Sequence, residues 1–191
     1  MQAARGASLT PSDPAQTPDH PDRSRRQLLP FALVAVLGYA ADLGSKELAL
    51  ARLVPGERVP VVGDALSLYL TSNSGAAFSL GTSYTLVLSW VAVGAALGTL
   101  WFARRVASTG WSLALGFLLA GVLGNLTDRV FREPGPMRGH VIDFLRFPSF
   151  PVFNVADVCI NIAAGLIILQ TIRGVHLDGT RDRRTPDGAG A

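Results

Sequence analysis

Two aspartates, Asp143 and Asp157, frame the part of this sequence that is best suited to chemistry. Asp157 is the one charged residue in the apolar segment 152–172. An ionisable group inside a membrane-spanning segment is costly unless it faces a bundle interior or water, so it is by default a functional-site hypothesis. Asp157 needs a partner, and Asp143 is the nearest acidic candidate upstream. Paired carboxyl groups hold and transfer protons, so we expect proton-transfer chemistry.

The chain between the two aspartates must fold back if their carboxyl groups are to meet. Pro148 and Pro151 break any continuous helix there and allow this return. Either aspartate alone could be a solvated residue that only complements a helix dipole. Asp128 and Asp42 are predicted at the same depth, however, and like charges gathered in a low-dielectric site are usually kept for function.

Other polar residues have spacings that support such a site. Asn154 and Asp157 are three residues apart and share a helix face, so the amide can hold the carboxylate or a peptide. Asn125 and Asp128 have the same spacing. Asp42 and Lys46 lie one helical turn apart, and we interpret this ion pair as mainly structural, pinning the first helix.

The composition indicates the elements that must position these residues. The 191 residues are 49% hydrophobic and only 16% charged, which predicts one membrane domain rather than a soluble one. The expected fold is an all-α polytopic membrane protein with four transmembrane helices, a small outer-face β-sheet and a second outer loop. The predicted spans are residues 28–41, with helix continuing to about 48, and residues 84–102, 111–126 and 152–172.

Two regions between the spans carry different patterns. Residues 66–71 alternate apolar and polar side chains, which predicts a half-buried strand in a small sheet on the membrane surface. Residues 130–151 contain Pro and Gly and are predicted to form a loop that carries Asp143.

The two ends of the chain are predicted to be tails. Residues 1–26 are rich in Pro, Ala, Asp and Ser and are expected to form a disordered cytoplasmic tail, as are residues 173–191, which leaves 27–172 as the membrane domain. An alternative is a twin-arginine signal peptide, since Arg25 and Arg26 precede a short apolar run ending near Ala41. A retained first span is favoured, because helical character continues past Ala41 to Pro55.

Arginine distribution predicts the orientation. Ten Arg and Lys residues fall in the two tails and the loop after the second span, against seven in the other two loops and their flanks. The positive-inside rule therefore predicts cytoplasmic termini and an active site near the outer face.

Several kinds of site are not expected. The arginines do not line one face, so nucleic acid is not an expected partner. A lone cysteine, Cys159, excludes an intramolecular disulfide, and its apolar neighbours favour an inert buried thiol over a dyad with His140. Two of the three histidines lie in the predicted tails, so the sequence lacks a set of ligands at metal-binding spacing and no metal site is expected. No cofactor is expected.

Five motifs in order resemble signal peptidase II, the bacterial lipoprotein signal peptidase family. They are Asp42-x-x-x-Lys46, Asn73-x-Gly75-Ala76-Ala77-Phe78, Gly121-x-x-Gly124-Asn125-Leu126-x-Asp128-Arg129, Val141-Ile142-Asp143-Phe144 and Phe153-Asn154-Val155-Ala156-Asp157. The resemblance covers about residues 28–172. One departure is Ala120-Gly121-Val122, where the family usually has Gly-Gly-Ala, and both changes add bulk at a packing face.

The resemblance implies an intramembrane aspartic endopeptidase of the bacterial cytoplasmic membrane. Such enzymes remove signal peptides from prolipoproteins by cutting before a diacylglyceryl-modified cysteine. By this resemblance Asp143 and Asp157 are the catalytic pair. The matching substrate-binding and supporting positions are Asp42, Lys46, Asn73, Gly124, Asn125, Asp128, Arg129 and Asn154. The expected partners are the lipidated precursor and membrane lipids, and the chain is expected to act as a monomer.

Two other classes of function use the same residues differently. An ion- or proton-coupled transporter could use the carboxylates as a relay. Against it, the acidic residues gather at one surface and no polar path crosses the middle of the second and fourth spans. A non-enzymatic membrane scaffold would not need a second carboxylate beside Asp157.

Overall fold

The computed structural model describes residues 21–75 and 82–182. Within these residues the chain forms four helices and three strands. In order they are α1 (Pro21–Arg52), β1 (Arg58–Val62), β2 (Leu66–Asn73), α2 (Thr82–Ala103), α3 (Thr109–Phe131), β3 (Val141–Arg146) and α4 (Val155–Ile172). All four helices are long and apolar enough to cross a membrane. The predicted fold class, four spanning helices with a small sheet, is confirmed.

Helix α3 is the centre of the bundle. It packs against α1, α2 and α4. Half of the residues in its most apolar 18-residue stretch are buried, against 17–22% in the corresponding stretches of the other three helices. Phe31, Leu115 and Leu119 belong to the largest apolar cluster of the described residues. Large side chains on the other helices, such as Trp90 and Leu33, face outward, as expected for a bundle whose solvent is lipid.

Small residues allow the helices to approach α3 closely. Gly38 of α1 faces Ala120, whose side chain is fully buried. Gly121 lies against the backbone carbonyl of Ala156 in α4, where a Cβ atom would collide. The bulk that Ala120 adds relative to the family pattern is therefore accommodated by the absence of a side chain at Gly38. Val122 is also buried and belongs to the apolar cluster around α3.

A three-stranded antiparallel sheet with the order β1-β2-β3 covers one end of the bundle, which we call the sheet end. The predicted strand is present and extends to Asn73. Leu70 of β2 and Phe144 of β3 pack with Ala49, near the end of α1. This contact fixes the sheet on the helices.

Asp143 lies in a strand and not in the predicted loop. The first four residues of β3, Val141 to Phe144, are all buried, so the strand lacks the alternation of a half-exposed strand. Pairing with β2, in which Thr71 lies opposite Asp143, holds the aspartate on a rigid element.

Three helix boundaries differ from the prediction. Helix α4 begins at Val155 and not at Val152, because Phe153 pairs with Leu145 as an extended segment and Asn154 caps the helix. Helix α3 continues to Phe131, so Asp128 lies within it. Helix α1 continues to Arg52 and has 32 residues, about 48 Å at the usual rise, which is longer than a hydrocarbon core of about 30 Å.

The predicted tails are described only in part. Residues 21–26 begin α1, which runs without a break past Ala41, where the signal-peptide alternative would place cleavage. Residues 173–182 form a turn, in which Val175 accepts a hydrogen bond of 2.7 Å from the Trp111 indole. Residues 21–26 and 173–182 of the predicted tails thus form helix and turn, and the predicted domain boundaries stay a prediction. Residues 1–20 and 183–191 lie outside the described part.

Adding a methyl group at Gly38 should loosen the contact between α1 and α3. A Cβ atom there would lie 2.8 Å from the Ala120 Cβ and 3.4 Å from the Cys159 Sγ. We expect Gly38→Ala to lower stability by about 1–3 kcal/mol, the usual cost of overpacking. Gly44→Ala is the control, because it lies on the same helix with nothing within 4 Å. Thermal melting in detergent should show a loss for Gly38→Ala alone, and equal melting of the two variants would contradict this packing.

Candidate active site

The two aspartates reach the sheet end of the bundle from separate elements. Asp143 extends from β3, and Asp157 lies in the first turn of α4. Asn154 caps that helix in a reciprocal arrangement: its side chain accepts from the Asp157 N–H at 3.0 Å, and the Asp157 carboxylate accepts from the Asn154 N–H at 3.2 Å. The cap thus fixes both the start of α4 and the position of the Asp157 carboxylate.

The amide of Asn154 links the two aspartates. Its Nδ2 donates to the Asp143 Oδ1 at 2.6 Å, while its Oδ1 accepts from the Asp157 backbone. The same Nδ2 donates to the Asn125 Oδ1 at 3.1 Å. Asn154 is fully buried, and both ends of its amide have protein partners. The orientation of the amide is therefore fixed.

Asp143 is buried, with 2% of the residue exposed. Its second oxygen accepts from the Asn73 Nδ2 at 3.0 Å. Burial raises the pKa of Asp143 from 3.8 to about 6, an effect that the Asn73 hydrogen bond opposes and the nearby Asp157 charge increases. A carboxyl group of this kind carries a proton at mildly acidic pH.

Asp157 is half-buried and has a different environment. Its Oδ1 accepts from the Asn125 Nδ2 at 3.0 Å, and its Oδ2 accepts from the Asn154 N–H. Both of its carboxylate oxygens thus accept hydrogen bonds at the start of α4. The two carboxyl groups therefore differ in burial and in the groups that donate hydrogen bonds to them.

Lys46 is the centre of the buried polar network beneath the two aspartates. Its ammonium group is fully buried and lies 2.7 Å from Asp42, 2.8 Å from Asp128 and 3.1 Å from the Asn125 Oδ1. Because the Asn125 oxygen accepts from Lys46 and Asn154, its Nδ2 must point toward Asp157. The Asp42–Lys46 pair thus does more than pin the first helix, since it also sets the orientation of an amide in the site.

The two carboxylates that hold Lys46 also hold the backbone next to each candidate catalytic residue. The Asp42 Oδ1 accepts from the Ala156 N–H at 2.8 Å, directly before Asp157. The Asp128 Oδ2 accepts from the Ile142 N–H at 3.2 Å, directly before Asp143. One buried ion cluster therefore fixes both aspartates.

The surroundings of the cluster are equally restricted. A Cβ atom at Gly124 would collide with the Asp42 carboxylate, so this position has space for hydrogen alone. Asp128 also accepts from the Nε of Arg132, whose Nη2 bonds to Glu47 at 2.8 Å. Arg132 was not predicted as part of the site, although its i, i+4 spacing from Asp128 indicates an ion pair on one helix face.

Arg129 lies near the two aspartates, and one of its guanidinium nitrogens is buried without a hydrogen-bond partner among the described residues. Its buried Nη1 has no hydrogen-bond partner within residues 21–75 and 82–182. The guanidinium lies close to Gly75 and within electrostatic reach of Asp143 and Asp157. A buried unpaired donor at this position can bind a carbonyl oxygen of a ligand.

Two openings reach the aspartates. An apolar groove of about 950 Å³ includes Asp157 and is lined mainly by aromatic and aliphatic residues of the segment 147–153 and of α4. A smaller recess of about 310 Å³ reaches Asp143 beside Asn73. Pro151 and Val152 line both openings, so they separate the two approaches.

Hydroxyl groups of α2 hold the loops around the site, a feature that sequence analysis missed. Thr85 donates to the Ser74 carbonyl at 2.6 Å, next to Asn73. Ser89, fully buried, reaches the Met137 carbonyl at 2.7 Å. Ala76, Ala77 and Phe78, which belong to the second motif, lie outside the described residues.

Neither the thiol nor a metal cluster contributes to this geometry. Cys159 is buried next to Gly38, where it packs between helices. Among the described residues, no group of three or more His, Cys, Asp or Glu side chains could hold a metal ion.

Comparisons with known proteins agree with the family that the motifs indicate. A family model described as signal peptidase (SPase) II matches residues 34–173. A "Lipoprotein signal peptidase" of Mycobacterium avium (strain 104) is 43% identical over 177 residues, 93% of this chain and 97% of the relative. One of Leifsonia xyli subsp. xyli (strain CTCB07) is 45% identical over 175 residues, 91% of this chain and 80% of the relative.

A solved structure described as a bacterial membrane enzyme has the same architecture. It superposes with a TM-score of 0.68 at 26% identity and covers 75% of this chain and 92% of that chain.

Removing the Lys46 charge should destabilise the protein strongly. Lys46→Met leaves Asp42 and Asp128 buried without their shared cation, a change that typically costs about 3–5 kcal/mol. Glu47→Gln is the control, because that side chain is 60% exposed and its ion pair with Arg132 is worth about 0–1 kcal/mol. Melting in detergent should fall steeply for Lys46→Met only. A Lys46→Met protein that melts like the control would show that the cluster does not support the fold.

Proposed function

The chain belongs to the signal peptidase II family, and we propose that it is an aspartic endopeptidase that removes signal peptides from prolipoproteins. We further propose that it cuts before the diacylglyceryl-modified cysteine. The observation that supports this most directly is the geometry of Asp143 and Asp157. The Asn154 amide bonds both the Asp143 carboxyl group and the backbone N–H of Asp157, and the Asp157 carboxylate lines an apolar groove.

In the proposed mechanism Asp157 is the general base and Asp143 the general acid. Asp157 takes a proton from a water molecule as the water oxygen attacks the scissile carbonyl. Asp143 gives its proton to the carbonyl oxygen, which forms a neutral tetrahedral diol. When the C–N bond breaks, the proton on Asp157 passes to the leaving nitrogen and Asp143 recovers a proton from a diol hydroxyl. Both side chains return to their starting states.

Substrate binding follows from the same geometry. The unpaired donor of Arg129 is proposed to bind a backbone carbonyl of the precursor, and Asn73 to help position the backbone beside Asp143. The apolar groove next to Asp157 suits acyl chains and apolar side chains. A precursor held by its lipid and its signal helix arrives already oriented, which lowers the entropic part of the barrier.

All the proposed site residues come from one chain, so we propose that a monomer is active. We also propose that the sheet end faces the outer side of the cytoplasmic membrane and that both termini are cytoplasmic, because ten Arg and Lys residues fall in the two tails and the loop after the second span, against seven in the other two loops and their flanks. Reporter fusions at Ala107 and Ala189 should read as cytoplasmic and one at Glu57 as external. An external reading at Ala189 would overturn this orientation.

Asp143→Asn and Asp157→Asn should each abolish cleavage of a purified diacylglyceryl-prolipoprotein in detergent. The amide cannot accept or return a proton, and one acid or base partner typically supplies about 10² to 10⁴ in rate. Because the pair acts as a unit, the double variant should be hardly slower than either single one. Chelation with EDTA should leave the wild type active, since this mechanism uses only side chains.

Controls separate chemistry from folding. At position 143 the amide offers one acceptor oxygen in place of two, so a hydrogen bond from Asn73 or Asn154 is lost, worth about 1 kcal/mol. Melting of each variant measures this cost independently of cleavage. Asp178→Asn, the same change on an exposed turn, and Cys159→Ala should both retain activity. If Asp143→Asn kept near-wild-type turnover, the pairing would be wrong and Asp128 would become the candidate partner of Asp157.

A further inference from the structure

A basic recess lies on the sheet, next to the apolar groove, with which it shares Pro148. It has a volume of about 280 Å³ and is lined by Arg58, Asp64, Ser67, Arg146 and Pro148. Strand pairing explains why these residues meet: Ser67 of β2 lies opposite Pro60 of β1 and Arg146 of β3, so their side chains share one face of the sheet. None of the proposed catalytic or substrate-binding residues lines this recess.

The recess has an excess of positive charge. Arg58 contacts Asp64 at 3.3 Å, but this pair is exposed, with the Asp64 side chain fully exposed, so the carboxylate can turn away at little cost. Arg146 lies over the Tyr69 ring, with its guanidinium carbon 4.9 Å from the ring centroid. This cation–π contact involves the face of the guanidinium group, so the N–H groups at its edge can donate to an anion.

Ser67 adds a third donor to the recess. The residue is 2% exposed, and its hydroxyl donates to the Arg146 carbonyl at 3.5 Å, the far limit for a hydrogen bond. Because Ser67 lines the same recess as Arg58 and Arg146, rotation of its hydroxyl group would allow it to donate to an anion bound there. Two guanidinium groups and one hydroxyl form a donor set suited to phosphate oxygens.

Apolar residues flank the recess on both sides. Val59, Val61 and Val62 of β1 are 42–59% exposed on the edge strand. On the other side, Phe147 and Phe150 are 44% and 59% exposed at the mouth of the apolar groove. Exposed apolar side chains beside membrane-spanning helices suit the boundary between acyl chains and headgroups, where arginines bind lipid phosphates.

We propose that the basic recess binds the phosphate of a membrane phospholipid, with anionic headgroups favoured. The exposed valines and phenylalanines would contact the acyl chains of the same lipid or its neighbours. Such a lipid would brace the sheet, including β3, which carries Asp143 three residues before Arg146. The diacylglyceryl group of the proposed substrate has no charge, so it cannot satisfy the two arginines. The proposed lipid site requires a protein embedded in the membrane but does not require peptidase activity, so the lipid site and the peptidase activity can each be disproved without the other.

Native mass spectrometry of the full chain in detergent tests this site. The protein is titrated with phosphatidylglycerol and with diacylglycerol of the same acyl chains, which lacks the phosphate. The double variant Arg58→Gln/Arg146→Gln should bind phosphatidylglycerol more weakly, by about fivefold for each arginine. Its binding of diacylglycerol should not change. Arg138→Gln, the same charge change on an exposed loop residue, is the control and should bind both lipids like the wild type.

Further variants and measurements distinguish recognition of a lipid phosphate from a structural defect and from binding of the substrate peptide. Arg58→Lys/Arg146→Lys keeps the charge and should recover part of the affinity, which a purely structural defect would not. Equal phosphatidylglycerol binding by the wild type and the double Gln variant would overturn the proposal. It would also be overturned if the double Gln variant bound lipid normally but selectively lost kcat/KM for a precursor with acidic residues after the cut. That result would assign the recess to the substrate peptide.

Discussion

The buried ammonium group of Lys46, held between the carboxylates of Asp42 and Asp128, is the interaction on which the rest of the site depends. Removing these charges from water is expensive, and close ion pairing recovers that cost only with good geometry and additional hydrogen bonds. Here each carboxylate also accepts a backbone N–H directly before Asp143 or Asp157. The electrostatic requirement of the cluster thus becomes a positional constraint on the two aspartates.

The helix packing follows from the same constraint. Lys46 comes from α1, Asp128 from α3, and the N–H groups that are held come from α4 and β3, so these four elements must meet at one point. Glycine makes that approach possible, because a side chain at Gly124 would occupy the space of the Asp42 carboxylate. Asn125, oriented by Lys46, then carries the arrangement outward to Asp157. The fully buried cluster supports the surrounding backbone, and the half-buried Asp157 carboxylate lies at the groove, where we propose that it reacts.

The sequence predicts those features that depend on the spacing of nearby residues. Hydropathy predicted the four spans, and the i, i+3 and i, i+4 pairs predicted which polar residues share a helix face. It missed β3, because burial of both faces removes the period-two signal around Asp143. It began α4 too early, because Phe153 is as apolar as the helix but pairs with β3. The second partner of Lys46, Asp128, comes from another helix, and no local pattern encodes such a contact.

The central claim is that Asp143 carries the catalytic proton while Asp157 is the base. The pH dependence of kcat/KM tests it most directly, because this quantity reports the ionisation of the free enzyme. With burial raising the pKa of Asp143 to about 6, the protonated acid is lost as the pH rises. We therefore predict that kcat/KM for a lipidated precursor falls on the alkaline side with a midpoint near pH 6. In Asn73→Ala the midpoint should move higher, because the hydrogen bond that favours the ionised form is gone. A kcat/KM that stays constant from about pH 5 to 8, or a midpoint unmoved in Asn73→Ala, would contradict the assignment.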